Sequence, residues 1–129
     1  MTPTILVVDD DPDQREEMRE SLTNAGFRVV TAVDGPHALK QMITFSPAVA
    51  LMDVNMPGWD GIRVAQAASN LDHRCVIILM TADDRALRDA IVSECGAEGV
   101  FFKPVQLKKL IDFLETVVGR STVMDLRAG

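Results

Sequence analysis

Five short runs rich in β-branched residues recur along the chain, separated by stretches in which apolar residues return every three or four positions. The runs are Thr4–Val8, Phe27–Val30, Ala48–Met52, Val76–Met80 and Gly99–Phe102. The first, third and fourth are apolar along their length, the pattern of parallel strands covered on both faces. Arg28 interrupts the second and Gly99 opens the short fifth, so these two are expected nearer the sheet edges.

The intervening stretches predict five helices. The first has Asp11 as N-cap, Pro12 at the first helical position and Gln14 to close a capping box. Its stripe is Met18, Leu22 and Ala25, and Gly26 is the stop signal. The second opens at Asp34-Gly35-Pro36, buries Leu39, Met42 and Ile43, and ends before Pro47. The third runs from about Asp60 through Ile62, Ala65 and Ala68. The fourth begins near Asp84, carries Leu87, Ala90 and Ile91, and stops at Gly96. The fifth follows Pro104 with Leu107, Leu110, Ile111, Leu114 and Val118, then meets Gly119. Residues 120–129 show no period and are expected to be a tail or the start of a linker. The domain is therefore placed at residues 1–119.

Strands alternating with helices predict an α/β fold with a parallel sheet and helices on both faces. Right-handed crossovers leave the two common doubly wound orders open. The 129 residues suit one domain, and 47% hydrophobic with 25% charged residues argue against disorder. The longest apolar run, Cys75–Met80, is far short of the roughly 20 residues that span a bilayer. No Lys or Arg precedes the first apolar stretch, so no secretory signal is expected. A net charge of −6 with no basic cluster beyond Lys108-Lys109 argues against direct nucleic-acid binding. Cys75 and Cys95 read as small hydrophobes of a reducing, cytoplasmic setting, and His73 beside Cys75 is too little for a zinc site.

The polar residues that follow the strands suggest the chemistry. The first strand runs into Asp9-Asp10-Asp11, the third into Asp53, the fourth into Thr81 and the fifth into Lys103-Pro104. Ligand sites of open α/β sheets lie beyond the carboxyl ends of the strands, where strand order reverses. In the order 2-1-3-4-5, Asp9, Asp10 and Asp53 would converge, with Thr81 and Lys103 along the same edge. Each like-charge pair at ~4 Å costs roughly 4 kcal/mol at an effective dielectric near 20, so either a cation compensates or some of the carboxylates hold protons. Lys103 supplies one charge, and a divalent ion with oxygen-only ligation, as Mg²⁺ prefers, would supply the rest. Carboxylates, Mg²⁺, an amine and a hydroxyl are the parts of a phosphoryl-transfer centre. Taken singly the residues have plainer readings. Asp11 is a helix cap, Asp9 or Asp10 a turn residue, Thr81 a cap for the fourth helix and Lys103 a surface lysine. Their arrival at one end of one sheet favours the joint reading.

Four motifs in order, Ile5–Pro12, Leu51–Gly61, Leu79–Ala82 and Phe102–Pro104, resemble the receiver domain of two-component response regulators, the CheY-like family. The resemblance covers about residues 3–119. It implies a flavodoxin-like (βα)5 sandwich with a parallel sheet in the order 2-1-3-4-5. It implies that Asp53 accepts a phosphoryl group from a histidine kinase or histidine phosphotransfer protein. Asp9, Asp10, Asp53 and the backbone carbonyl of Asn55 would hold Mg²⁺ or Mn²⁺. Lys103 and Thr81 would meet the phosphoryl oxygens, and Asn55 and Asp83 would tune the lifetime of the acyl phosphate. Output would pass through the face of the fourth helix, fifth strand and fifth helix to a downstream protein or effector domain, without nucleic-acid contact or membrane insertion by this chain. The only reactions expected are self-phosphorylation, from phosphohistidine or acetyl phosphate, and slow autodephosphorylation, so no enzyme in the ordinary sense is expected.

One position departs from the family. Many receivers carry an aromatic switch residue three positions before the lysine, where this chain has Val100, followed by Phe101 and Phe102. A phosphorylation-independent interaction module is the alternative this suggests. A Mg²⁺-dependent aspartyl-phosphate hydrolase of the haloacid dehalogenase type fits poorly, because Asn55 stands where a second Asp is needed as general acid. His37 and His73 read as surface residues, and Trp59 as a loop anchor.

Overall fold

The structure, a computed structural model, describes residues 3–54, 61–68, 70–71, 75–82 and 98–128. In chain order the elements are β1 (Thr4–Val8), α1 (Pro12–Asn24), β2 (Arg28–Ala32), α2 (Gly35–Phe45), β3 (Val49–Asp53), α3 (Gly61–Ala68), β4 (Val76–Thr81), β5 (Gly99–Phe102) and a C-terminal helix (Leu107–Ala128). The five strands form one parallel sheet in the order β2-β1-β3-β4-β5. This is the expected flavodoxin-like arrangement, with β2 and β5 at the edges. The expected fourth helix with Leu87, Ala90 and Ile91 lies outside the described residues, as do Asn55, Trp59, Asp60, His73, Asp83 and Cys95.

Alternation along the central strands divides the core into two layers. Leu6, Val8, Ala50, Met52, Ile77 and Leu79 face Ala38 and Met42 of α2 and Val64 of α3. Ile5, Val7, Val49, Leu51, Ile78 and Met80 face Leu22 of α1 and Leu110, Leu114 and Val117 of the C-terminal helix. Because both faces are covered, β1 after Thr4 carries no polar residue until Asp9, and β3 none until its last residue, Asp53.

The ends of α1 follow from local chemistry. The Asp11 carboxylate accepts from the backbone N–H groups of Asp13 (2.9 Å) and Gln14 (3.2 Å), which makes it the expected N-cap. The reciprocal half of the capping box is absent. The Asp11 N–H donates to the Asp9 carboxylate at 2.9 Å, and the Gln14 amide turns to Asp11 Oδ2 instead. At the other end, Gly26 adopts φ 101°, while Gly26 N–H bonds Thr23 C=O and Phe27 N–H bonds Leu22 C=O. This is a Schellman closure, and Phe27 and Leu22 complete it in the same core layer. Phe27 thus belongs to the turn, so β2 starts one residue later than its sequence pattern predicts.

Three further expectations are corrected. Ile43 is 68% exposed, because the buried stripe of α2 is Gly35, Ala38 and Met42 and the next position rotates away from it. Ala25 is exposed as the C-cap of α1 rather than part of its stripe. The C-terminal helix passes through Gly119 to Ala128. An interior glycine costs about 1 kcal/mol relative to alanine but leaves the backbone hydrogen bonds intact, so it weakens a helix without ending it.

Candidate functional site

Strand order reverses between β1 and β3, and the acidic residues meet there. Asp9 follows the last residue of β1, and Asp53 is the last residue of β3. Both are buried, at 3% and 8% exposure, whereas Asp10 beside them is exposed. Carboxylate oxygens of Asp9, Asp10 and Asp53 all lie within 4.8 Å of one another. Thr81 ends β4 and is fully buried.

Lys103 reaches this cluster from the end of β5. Its ammonium donates to Asp53 Oδ2 at 2.9 Å and lies 3.9 Å from Asp9 Oδ2. The Lys103 N–H donates to the Thr81 carbonyl at 2.8 Å, so the sheet ladder continues up to the lysine. The Val54 N–H bonds the Met80 carbonyl at 2.9 Å and secures the exit of Asp53 in the same way. The Lys103–Pro104 peptide is cis. Sequence reasoning therefore located Asp9, Asp10, Asp53, Thr81 and Lys103 on one sheet edge, and the fold brings all three carboxylates and the amine together.

Among the described residues Lys103 is the cation paired with these three carboxylates, which leaves the cluster short of positive charge. Burial pushes the Asp9 carboxyl above its usual range, and the nearby Asp53 and Asp10 charges push it further. The Asp11 N–H and Lys103 oppose this without cancelling it. An all-oxygen donor set, two members buried and one open to solvent, suits a hard divalent cation that keeps several waters. Asp9, Asp10 and Asp53 therefore fit Mg²⁺; the Asn55 carbonyl lies outside the described residues.

Strand register decides which residue of β5 neighbours the hydroxyl. Leu79 pairs with Val100, Met80 with Phe101 and Thr81 with Phe102. Val100 is half-buried against the layer that contains Leu79 and Val64. Phe101 points to the opposite layer and meets Phe113 edge-on, with ring centroids 5.6 Å apart. Phe102 shares the face of Thr81 and is 39% exposed.

Two residues with site contacts were not singled out as site residues from the sequence. The Gln14 carbonyl oxygen accepts from the Lys103 ammonium at 2.9 Å, and Arg15 Nη1 donates to the Asp9 carbonyl at 2.9 Å. Their only sequence signal was position, in the first turn of a helix that starts beside the acidic run. Beside Lys103 a cavity of about 520 Å³ opens between α1 and the start of the C-terminal helix, with Gln14, Glu17, Met18, Met80 and Val105 among its walls.

The comparisons with known proteins agree with this geometry. A family model described as the response regulator receiver domain matches residues 5–115. The transcriptional regulatory protein PrrA of Mycobacterium tuberculosis is 32% identical over 119 residues, covering 92% of this chain and 51% of PrrA. Response regulator MprA of Mycobacterium ulcerans is 32% identical over 125 residues, covering 97% of this chain and 54% of MprA. The chain thus spans about half the length of these relatives. Among solved structures, the chemotaxis protein CheY4 of Vibrio cholerae superposes with a TM-score of 0.85 at 28% identity, covering 91% of this chain and 99% of CheY4.

Proposed function

This chain belongs to the response regulator receiver family, and from that premise we propose that it is a phosphorylation switch of a two-component system, with Asp53 as the phosphoryl acceptor. The observation that carries the reading is the pairing of Asp53 with Lys103 at 2.9 Å inside a cluster of three carboxylates. An Asp53 oxygen attacks the phosphorus of a phosphohistidine on a kinase or phosphotransfer protein. The new P–O bond forms as the P–N bond breaks, and the electron pair stays on the imidazole nitrogen. Lys103, already beside the attacking carboxylate, neutralises charge on the arriving oxygens, and the Thr81 hydroxyl donates to another of them. Asp9, Asp10 and Asp53, with the Asn55 carbonyl, would hold Mg²⁺ or Mn²⁺, which when bound would supply electrostatic stabilisation of the same oxygens. Burial of Asp53 keeps bulk water from the acyl phosphate, which later hydrolyses to the free carboxylate and inorganic phosphate.

In this reading the chain is no turnover enzyme. It carries a signal in the cytoplasm from a histidine kinase to a downstream protein or effector domain, through β5, the C-terminal helix and the expected fourth helix, which lies outside the described residues. Among the described residues no helix is long and apolar enough to cross a membrane.

Intact-mass spectrometry after incubation with acetyl phosphate and Mg²⁺ tests the reading. The wild type gains one phosphoryl group; Asp53→Asn gains none, and Asp10→Asn gains it only at raised Mg²⁺. Absence of any adduct in the wild type would instead support an interaction module that works without phosphorylation. Val100, small where many receivers carry an aromatic switch residue, is the feature that favours that second reading.

A further inference from the structure

We infer that Gln14 is a positioning residue for Lys103, holding the ammonium in place before the phosphoryl group arrives. This rests on the reading of Asp53 as the acceptor and extends it to a residue on a different element. Gln14 occupies the third position of α1, where its backbone N–H is held by the Asp11 carboxylate at 3.2 Å. Its side-chain NH₂ donates to Asp11 Oδ2 at 3.3 Å, and its carbonyl oxygen accepts from Lys103 Nζ at 2.9 Å. Asp11 is itself tied to Asp9 through its N–H at 2.9 Å. A continuous chain of contacts therefore runs from Asp9 through Asp11 and Gln14 to Lys103, and from Lys103 to Asp53.

The amide group suits this place for a chemical reason. One end must donate to a carboxylate and the other must accept from an ammonium, and an amide does both. A glutamate would set a second carboxylate against Asp11, a lysine or arginine would repel Lys103, and an apolar side chain would make neither bond. The ammonium has three N–H bonds. Asp53 takes one and Gln14 a second, which leaves the third directed by the first two. A lysine held at one point keeps much of its rotamer freedom, whereas one held at two points has its remaining donor aimed in advance. The function of Gln14 is thus orientation of the cation, without contact to the reacting atoms.

Gln14→Met keeps side-chain length and helix propensity and removes both polar contacts. The full chain is compared as wild type and variant for the rate constant of phosphorylation by acetyl phosphate, for Mg²⁺ affinity, for the thermal midpoint, and for the ¹⁵N-resolved ammonium signal of Lys103. The rate constant is expected to fall roughly three- to tenfold, the size of one charge-assisted hydrogen bond partly discounted for solvent. The Lys103 signal, protected in the wild type, broadens in the variant, while Mg²⁺ affinity and the thermal midpoint hold. Gln14→Leu behaves as Gln14→Met. Equal rates and equal Lys103 signals in wild type and variants overturn the inference and leave the acceptor reading standing. So does a fall in rate matched by falls in Mg²⁺ affinity and thermal midpoint, which marks a merely structural residue. A wild type that takes up no phosphoryl group overturns both.

Discussion

Asp9→Asn is expected to stabilise the protein when no divalent cation is present. Asp9 is 3% exposed and has two carboxylates with oxygens within 4.8 Å. At an effective dielectric near 20, one such repulsion is worth about 3.5 kcal/mol, and the Lys103 ammonium at 3.9 Å returns about 4 kcal/mol. Asp10 is exposed, so its share is heavily screened. These two pair terms nearly cancel, so the cost of burying the charge decides the balance and leaves ionised Asp9 unfavourable. Asparagine removes that charge and keeps an oxygen for the Asp11 N–H.

The pH dependence carries a definite sign. Since the folded-state pKa of Asp9 is raised above the unfolded value, the native state binds the extra proton between the two. Stability therefore falls as pH rises through that window, and the deficit is complete above the folded pKa. Urea denaturation in EDTA should show the variant more stable at pH 7, with the gap closing as pH falls toward the ordinary carboxylate value. Added Mg²⁺ should reverse the ranking, because only a native state with an intact site gains RT ln(1 + [L]/Kd) in full. A variant no more stable than the wild type in EDTA at pH 7, or a gap that widens on acidification, would refute this account of the cluster.

Leu114→Ala should cost about 2–5 kcal/mol in the same assay, since Leu114 is fully buried between the C-terminal helix and the sheet and leaves a cavity that rigid strands cannot fill. Fluorinated phenylalanine placed at Phe102 and Phe101 should respond unequally to beryllofluoride with Mg²⁺. The Phe102 signal is expected to shift because it registers with Thr81 and is 39% exposed, whereas Phe101 stays in place against Phe113. Equal shifts, or a shift at Phe101 alone, would count against register as the route out of the site.

The architecture was legible because parallel strands buried on both faces leave little room for ambiguity. Ile5–Val8 and Val76–Met80 suit no other environment in a chain of this length, and the punctuation at Gly26, Asp34 and Pro47 marks real helix ends. Errors arose where a residue's role depends on rotation or on a partner. Ile43 looks like core by composition but stands one position past Met42, where a helix has already turned its face to solvent. Gly119 looks like a stop, yet a glycine ends a helix only where the chain also turns into the left-handed region, as Gly26 does.

The same division separates the acidic cluster from the residues that support it. Asp9, Asp53, Thr81 and Lys103 were legible because each ends or directly follows a strand, and strand ends in one sheet converge whatever the detailed packing. Gln14 and Arg15 follow no strand. Gln14 meets Lys103 across 89 residues of sequence, and nothing within the first helix distinguishes a glutamine that closes a capping box from one that turns to a lysine. The choice lies with Asp9, whose carboxylate binds the Asp11 N–H and so removes the donor a capping box needs. Freed from that role, the Gln14 amide is left to bridge Asp11 and Lys103. A buried carboxylate with too little positive charge around it thus shapes more than a metal site: by recruiting the Asp11 N–H, it also sets which way the helix presents the Gln14 amide.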